Sequence, residues 1–376
     1  MKKIINLLAF LAFVFAFVGC NSCNRSKKTE TIKIGAILPL TGSSSVWGVP
    51  TKEGIELAAE IINKNGGING KQVEIIFEDT KADPTTATTS IQKLITTDNV
   101  IAVIDNSNSS VTLAVAPIVE KNKIPLLVTG ASSPKIKDAG DYIFRIWNSD
   151  ALEGEFMADL AFNKFQFKNI SILYVNNNYG VGLKDAFSES FVKLGGKTGG
   201  LETFGENSSD FKTQCSKVIS TNPDAIYLVC YPKQGAILLK QLKELGNKKQ
   251  VLGAVAFEDP TLLESAGESA NGIIFPLPAP VDTTLQYYDS FKMDYFSKYN
   301  KPVPFLAAEG FDGLNVIIAA LRMSGAVKPE TLKKDLYKIT NYKGVSGLIS
   351  FDSFGEVHKP FGIKIVKNNK FEWYAK

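Results

Sequence analysis

The chain has 376 residues, more than one ordinary hydrophobic core accommodates, and this length suits two α/β lobes of roughly 150 residues each. Hydrophobic residues make up 44% and charged residues 21% of the sequence, which is the composition of a globular protein. The formal net charge is +4 and the lysines are scattered, so the chain lacks the concentrated basic face of a nucleic-acid-binding protein.

The first 19 residues have the pattern of a signal peptide. A short positive region precedes residues 4–18, which are apolar apart from Asn6, and this run is shorter than the ~20 residues of a membrane span. Gly19 directly before Cys20 resembles a bacterial lipobox. That resemblance implies cleavage before Cys20, acylation of its sulfur and attachment of an exported protein to a lipid bilayer. The alternative is an ordinary cleaved signal peptide with an unmodified cysteine.

Residues 20–30 are polar and carry no aliphatic side chain, so we predict a flexible tether between the lipid and the fold. Of the remaining cysteines, Cys215 lies in a helical pattern and Cys230 ends an apolar strand. An exported protein can form a disulfide between them. Such a helix-to-strand bridge needs Cα atoms within about 6 Å, so we favour two free thiols.

From residue 32 onward, short β-branched runs alternate with helical patterns, which predicts parallel sheets with right-handed crossovers. In chain order, we predict strands at 32–38, 72–77, 100–104 and 124–128 and helices at 51–64, 84–97 and 110–121. The order then repeats, with strands at 170–175, 201–204, 225–230 and 251–255 and helices at 182–194, 211–220 and 235–245.

After a strand at 272–275, the pattern changes to successive helices at 284–299, 306–324 and 329–339. A short strand at 348–352 and a hairpin of 362–366 and 371–374 around Asn368-Asn369 follow. We therefore expect an α/β fold of two lobes, each a parallel sheet flanked by helices. The chain is expected to cross between lobes near 146–151, 276–281 and 345–352, forming a multi-strand hinge. The first lobe is predicted to comprise residues 31–147 and 279–347, and the second residues 148–278 and 348–376.

The residue patterns of common enzyme sites are absent or interrupted in this sequence. His358 is the one histidine and has neither metal-ligand nor triad spacing, so we expect it at the surface. The segment 196–198 (GKT) lacks the upstream glycine of a phosphate loop, and the turn 179–182 is followed by Asp185 where a dinucleotide loop has glycine. We expect no cofactor, no metal and no enzymatic activity.

Polar loops follow two neighbouring strands of the first predicted sheet. Residues 105–110 (DNSNSS) lead into a helix, and residues 129–134 (TGASSP) follow the next strand. Ligands bind at the carboxyl ends of strands in open α/β sheets, and hydroxyls and free N–H groups there suit a carboxylate. Plain helix capping by Ser and Asn is the alternative interpretation. Aromatic residues near other strand ends suit a cleft that encloses an organic solute; they are Trp47, Tyr179 and Tyr231.

Several segments together resemble the branched-chain amino acid binding proteins of ABC importers, which have the type I periplasmic binding fold. The resemblance covers about residues 31–376. The matching segments are IKIGAILPLTG (32–42), Trp47-Gly48, GIELAAEIINKNGGINGKQVEIIFEDTKADP (54–84), Ser109-Ser110, NNNYGVGL (176–183) and PDAIYLVCYP (223–232).

The resemblance implies roles for residues of both polar loops. Ser109, with Ser110 beside it, and Ser132, with the backbone of Gly130 and Ala131, fall where the family holds the ligand carboxylate. These residues are the expected anchor of the solute.

The resemblance also implies that Trp47 packs on the ligand side chain and that Tyr179 and Tyr231 close on the ligand from the second lobe. A ligand that contacts both lobes only in the closed form shifts the population toward that form.

Val255 is a departure from the family pattern. It stands where the amino-acid binders place a glutamate that pairs with the ligand ammonium. Because a buried ammonium without a carboxylate partner is costly, the hypothesis from sequence is a carboxylate, amide or aromatic acid without an ammonium. Glu258 or Asp259 would substitute if the loop were shifted.

The sequence thus predicts a monomeric, extracytoplasmic, membrane-anchored lipoprotein that captures a small amino-acid-like, carboxylate or amide solute for an ABC permease. The alternative is a lipoprotein that senses such a ligand and reports it to a signalling partner.

Overall fold

The computed structural model describes residues 31–279 and 286–374, so the predicted signal peptide, Cys20 and the tether lie outside the described residues. The strands are β1 (Ile32–Leu38), β2 (Val73–Asp79), β3 (Val103–Asp105), β4 (Leu126–Val128), β5 (Ile143–Arg145), β6 (Asn169–Val175), β7 (Lys197–Phe204), β8 (Ala225–Val229), β9 (Gln250–Gly253), β10 (Ile274–Pro278), β11 (Tyr342–Gly344), β12 (Gly347–Ile349), β13 (Phe361–Lys367) and β14 (Lys370–Trp373).

The α-helices lie at Ser45–Lys64, Pro84–Thr96, Ser109–Asn122, Asp150–Asp159, Asn178–Lys193, Lys212–Ser220, Pro232–Glu244, Pro260–Ala266, Gln286–Tyr299, Phe305–Ser324 and Pro329–Leu336. Short 3₁₀ helices lie at Pro134–Asp138, Val255–Phe257 and Gly267–Ala270. Within the described ranges, no single helix is long and apolar enough to span a membrane. Two helices, Phe305–Ser324 and Pro329–Leu336, reach that length and apolarity only when they are taken together as a bent pair.

The first lobe is built on a parallel sheet in the order β2-β1-β3-β4-β5. Its central strands are buried along most of their length, because helices cover both faces and form separate apolar clusters on each side. The carboxyl ends of β1, β3 and β4 therefore lie at one edge, and the loops that follow them are neighbours.

The second lobe contains a larger sheet in the order β14-β13-β10-β9-β8-β6-β7. The strands from β10 to β7 are parallel, and β13 and β14 add antiparallel at the edge. Asn368 and Asn369, both at positive φ, form the tight turn of the β13–β14 hairpin, which confirms the hairpin expected from sequence.

Two elements near the middle of the chain were missing from the sequence prediction, β5 and the helix Asp150–Asp159. The first predicted helix also begins earlier than expected, at Ser45 instead of residue 51, with Pro50 inside it. The N–H that Pro50 lacks would have bonded to the carbonyl of Val46, on the exposed start of the helix, so the ring is tolerated there. Trp47 accordingly lies in the first helical turn, not in a loop.

The chain leaves the first lobe for the last time later than the sequence suggested. Ile349, Phe351 and Val357 belong to the same buried cluster as Phe144 of β5. By packing, the third crossing therefore lies between residue 357 and β13, and not at 345–352. Ile349 and Phe351 belong to the apolar run that predicted a strand of the second lobe, but they pack in the hydrophobic core of the first lobe.

The crossing segments are hydrogen-bonded to one another. The side chain of Asn148 donates to the carbonyl of Lys359 at 2.7 Å and accepts from its N–H at 2.8 Å. The N–H of Ala279 donates to the carbonyl of Pro360 at 2.7 Å. Three segments thus run side by side where the lobes join, which is the arrangement of a hinge.

A buried ion pair joins β5 to the third crossing. Arg145 is fully buried, and its Nε and Nη2 donate to the two carboxylate oxygens of Glu356, the first at 3.0 Å. The backbone N–H of Arg145 also donates to the carbonyl of Gly355 at 2.8 Å. Bidentate geometry fixes the angle between these segments as well as their distance.

The two cysteines and the histidine singled out from the sequence have the environments that we expected. Cys215 and Cys230 are buried free thiols, which confirms the preferred alternative. The side chain of His358 is 64% exposed.

We predict that Glu356→Ala lowers the free energy of unfolding by about 3–5 kcal/mol, because it leaves the Arg145 charge buried without its partner. Urea denaturation measures the loss. The matched control is Glu189→Ala, which removes the exposed ion pair with Lys193 and should cost less than about 1 kcal/mol. Equal effects of the two substitutions would contradict a structural role for the buried pair.

Candidate functional site

A cavity of about 100 Å³ lies where the two lobes meet. The predicted ligand-binding residues that line it are Trp47, Ser109, Gly130, Ala131, Ser132, Tyr179, Tyr231 and Val255. Ser110 does not line this cavity. It faces a neighbouring groove, where its hydroxyl accepts a hydrogen bond from the Asn178 side chain of the second lobe at 3.3 Å.

Ser109 links the two polar loops of the first lobe. Its Oγ accepts from the backbone N–H of Ser132 at 3.3 Å and of Ser133 at 3.1 Å. A serine hydroxyl that accepts twice still has one proton to donate. Because Ser109 lines the cavity, that proton is available to an acceptor oxygen of a ligand.

The two loops approach each other closely at Gly130. A Cβ at this position would lie 2.5 Å from the Oδ1 of Asn106. Asn106 cannot easily move, since it is buried and its Nδ2 donates to the Oγ1 of Thr51 at 2.7 Å. Glycine is therefore required here by the space between the loops.

Hinge residues hold the backbone carbonyls of the second polar loop. Nη1 of Arg145 donates to the carbonyls of Ser133 at 3.0 Å and Ala131 at 3.4 Å. The N–H of Asp150 donates to the carbonyl of Ser132 at 2.7 Å. The orientation of the loop in the cavity thus depends on the start of the first crossing.

Aromatic rings from both lobes form the apolar walls. Trp47 of the first lobe contacts Tyr231 of the second, with ring centroids 5.1 Å apart, and Tyr231 stacks on Tyr179 at 5.3 Å. Trp147 packs on Phe305 at 5.4 Å. The last two residues line the cavity but were missed from sequence, although Trp147 lies two residues after the end of β5 and a position near a strand end was a usable signal.

Sequence reasoning also missed two buried carboxyl groups behind the cavity, Asp150 and Glu153 in the first turn of the helix Asp150–Asp159. Burial raises the pKa of Asp150 to about 7 and the pKa of Glu153 well above its ordinary range, and the Asp150 charge raises the latter further. Ser149, which caps the helix, followed by acids in the first turn, is a helix-start signal that could have located both.

Glu258 and Asp259 line the cavity but have other partners. Glu258 forms an ion pair with Lys364 at 2.7 Å. The Oδ1 of Asp259 accepts from the N–H of Thr261 at 2.7 Å and so caps the following helix. The helix cap engages the Asp259 carboxylate, whereas Oε2 of Glu258 is buried with no hydrogen-bond partner among the described residues, so Glu258 stays the candidate that the sequence suggested for an ammonium partner.

The lobes approach to van der Waals distance beside the cavity. Gly182 of the second lobe faces the ring of Pro134 of the first, and a Cβ on Gly182 would lie 2.8 Å from Cδ of that ring. A proline ring has little freedom to move aside. Opening of the cleft would separate these two residues.

We predict that Gly182→Ala weakens solute binding about tenfold, because overpacking of about 1–3 kcal/mol falls on the closed form alone. Isothermal titration calorimetry measures the affinity, and small-angle scattering reports the open fraction. Gly205→Ala is the matched control, since the atom nearest its new Cβ, Ser208 Oγ, lies at 3.6 Å. Unchanged affinity in Gly182→Ala would show that closure leaves more room here than the structure does.

Among the residues described, no group of three or more His, Cys, Asp or Glu side chains is placed to hold a metal ion.

Comparison with known proteins agrees with this geometry. The family model of the periplasmic binding proteins matches residues 31–363. The leucine-, isoleucine-, valine-, threonine- and alanine-binding protein of Pseudomonas aeruginosa is 25% identical over 100% of this chain and 98% of its own length.

Two solved structures are similar throughout. The leucine-binding protein LivK of Thermotoga maritima MSB8 superposes with a TM-score of 0.86 at 30% identity, covering 92% of this chain and 98% of that one. The branched-chain amino acid transporter substrate-binding protein LivJ of Streptococcus pneumoniae, in complex with isoleucine, superposes with a TM-score of 0.83 at 27% identity, covering 91% and 98%.

Proposed function

Because this chain belongs to the periplasmic binding protein family, we propose that it captures a small carboxylate-bearing solute between its lobes and delivers it to an ABC permease. The observation that carries the proposal is the cavity itself, which both lobes line and whose wall includes Ser109, a hydroxyl that accepts two backbone hydrogen bonds and keeps one proton to donate.

The chemistry of the walls supports an amphipathic solute. The first lobe contributes serine hydroxyls and loop backbone to the cavity wall, and the rest of the wall combines aromatic rings and Val255 with the carboxyl groups of Glu258 and Asp259. Such a site orients a ligand by a few polar contacts and gains affinity from apolar burial. A solute that bridges Trp47 and Tyr231 stabilises the closed form, which a permease can distinguish from the open form.

By their names, the relatives above bind leucine, branched-chain amino acids or, in the Pseudomonas aeruginosa protein, leucine, isoleucine, valine, threonine and alanine. For this chain, leucine, isoleucine and valine are therefore the first probes, together with aromatic acids and amides. The proposal includes export and anchoring through acylated Cys20, with the folded lobes acting as a monomer outside the cytoplasm.

We predict that Ser109→Ala weakens binding of the best probe about tenfold or more, because a hydrogen bond to a charged group contributes about 1.5–3 kcal/mol. Ser110→Ala is the matched control, since that hydroxyl lies in the neighbouring groove, and its effect should stay within about threefold. Calorimetry on the protein lacking residues 1–23 measures both, and a ligand at about 100 times its dissociation constant should add about 2.7 kcal/mol of stability.

Equal losses in the two serine variants would contradict the assigned carboxylate end of the cavity. Uptake of the labelled solute by cells with and without the gene separates transport from sensing, since a sensory protein would bind the solute without supporting its uptake.

We predict that Cys20→Ser releases the protein from the membrane fraction, because the acylated sulfur is the proposed anchor. Labelling with radioactive palmitate and fractionation of the producing cells measure the change. Cys23→Ser is the matched control and should stay membrane-bound. Full membrane association of the Cys20 variant would favour an unmodified cysteine and another mode of attachment.

A further inference from the structure

Asp105 is an acid in the interior of the first lobe, at the carboxyl end of β3, and its side chain is fully buried. Its Oδ1 accepts a hydrogen bond from the N–H of Ser107 at 2.8 Å, and its Oδ2 accepts one from the hydroxyl of Thr112. Ser107 lines the cavity. One hydrogen bond therefore separates this carboxyl group from a residue of the cavity wall.

The backbone of Asp105 connects the two polar loops. Its carbonyl accepts from the N–H of Thr129 at 2.8 Å and from the hydroxyl of Thr129 at 3.3 Å. The first loop begins at Asp105 and leads to Ser109, and the second loop is bonded to the same residue. Asp105 thus lies next to both segments that are expected to hold the solute carboxylate.

The surroundings of Asp105 supply hydrogen bonds but no compensating charge. The neighbouring strands β1 and β4 place Ile37 and Val128 beside it. Burial raises the pKa of Asp105 to about 6, and the hydrogen bonds from Thr112 and Ser107 offset only part of that rise. Among the described residues, no lysine or arginine acts on this carboxyl group.

Other titratable groups occur on the neighbouring elements and around the cavity. They are Asp79 and Lys81 at and after the end of β2, Asp150 and Glu153 behind the second loop, Glu309 and Asp312 on the helix Phe305–Ser324, and Glu258, Asp259, Tyr179 and Tyr231 in the cavity wall. Cations act on several of these acids, in the pairs Arg145 with Asp150, Lys359 with Glu309 and Lys364 with Glu258. Asp105 has no such cation in the described part of the chain, and it is the acid that belongs to the loops expected to hold a carboxylate.

Resting on the proposed function, we infer that Asp105 takes up one proton when an anionic solute enters the cavity, so that capture of the solute is coupled to pH. Two negative charges in one buried site repel each other, and a proton from the solvent on Oδ2 of Asp105 removes that repulsion. The hydrogen bonds persist, because the protonated carboxyl donates to the hydroxyl of Thr112 while Oδ1 still accepts from Ser107. The loop keeps its shape in both protonation states, and only the charge changes.

The direction of the pH dependence follows from this coupling. A bound carboxylate raises the pKa of Asp105 above the value of about 6 that it has without solute, so binding takes up protons between the two values. The affinity is therefore highest below about pH 6 and falls as the pH rises through the pKa of the bound form. A fall of about tenfold corresponds to about one pH unit between the two pKa values.

The test measures binding of L-leucine and of benzoate, whose carboxylates stay ionised between about pH 6 and about pH 8.5. By calorimetry, the affinity of the wild-type protein for the tighter probe should fall about tenfold over this range. Titrations near neutral pH in two buffers of different ionisation enthalpy should show proton uptake on binding. Asp105→Asn mimics the protonated carboxyl, so at about pH 8.5 it should bind about tenfold more tightly than the wild-type protein and vary less than about threefold with pH.

Asp79→Asn is the matched control, because Asp79 occupies the end of the neighbouring strand β2 and does not line the cavity. Although burial acts against it, hydrogen bonds from Thr41, Lys81 and Leu40 lower the pKa of Asp79, so this carboxylate stays ionised over the whole range. The substitution should leave the pH dependence of binding unchanged.

Thr112→Val is a second variant, which tests the inference if Asp105→Asn does not fold. It keeps Asp105 and removes one of the two donors that stabilise its ionised form. The pKa of Asp105 should rise further, so the affinity should begin to fall at a higher pH than in the wild-type protein. The same pH profile in Thr112→Val and the wild-type protein would count against Asp105 as the group that takes up the proton.

A purely structural role of Asp105 predicts the opposite sign, with Asp105→Asn melting at a lower temperature and binding both probes more weakly at every pH. That result, a flat pH profile of the wild-type protein, or a pH dependence that persists in Asp105→Asn overturns the inference and leaves the proposed function intact. Persistence would assign the proton to another acid, such as Asp150. Binding of neither these probes nor any other carboxylate solute overturns the proposed function and the inference together.

Discussion

The buried guanidinium of Arg145 connects the second polar loop of the first lobe to a segment that crosses between the lobes. It contacts the second polar loop through two carbonyls and the third crossing through Glu356. A buried charge of this kind is stable only while its partners stay in place. One buried cation therefore connects the hinge to the polar loop that lines the cavity, and we expect bending of the lobes to leave this connection in place.

Closure depends on small residues as much as on attractive contacts. Gly130 lets the two polar loops approach within one lobe, and Gly182 lets the second lobe reach Pro134 of the first. The aromatic contacts of Trp47 and Tyr231 then span the cleft. A solute that fills the cavity would add contacts to both lobes in the closed form alone and would therefore shift the population toward that form.

The charge distribution around the cavity follows from where each acid finds a partner. Asp259 caps a helix, Glu258 pairs with Lys364, and Glu356 pairs with Arg145. Among the described residues, neither carboxylate oxygen of Asp150 has a hydrogen-bond partner of good geometry. The electrostatic field in the cavity depends on all of these charges together, so the apolar residue at Val255 does not by itself exclude a solute with a positive charge.

The sequence by itself determined the α/β class, the two-lobed alternation, the terminal hairpin and the two polar loops of the first lobe. These features are set by local periodicity, by turn residues such as Asn368-Asn369 and by the rule that parallel strands end at one edge. Tyr231 directly follows a predicted strand and Ser109 lies in the polar loop after another, so both could be placed near strand ends, and the family resemblance then implied their roles.

Only the tertiary structure decided which charged groups meet. Asp150 and Glu153 lie on a helix that weak local periodicity concealed, and their closeness to Val255, about a hundred residues away, arises from packing across the second lobe. The boundary of the first lobe differs from the predicted one for the same reason. Ile349 and Phe351 would suit the interior of either lobe, and only the surrounding core determines which lobe buries them. Burial and partners between distant segments are properties of the folded chain, and no local pattern encodes them.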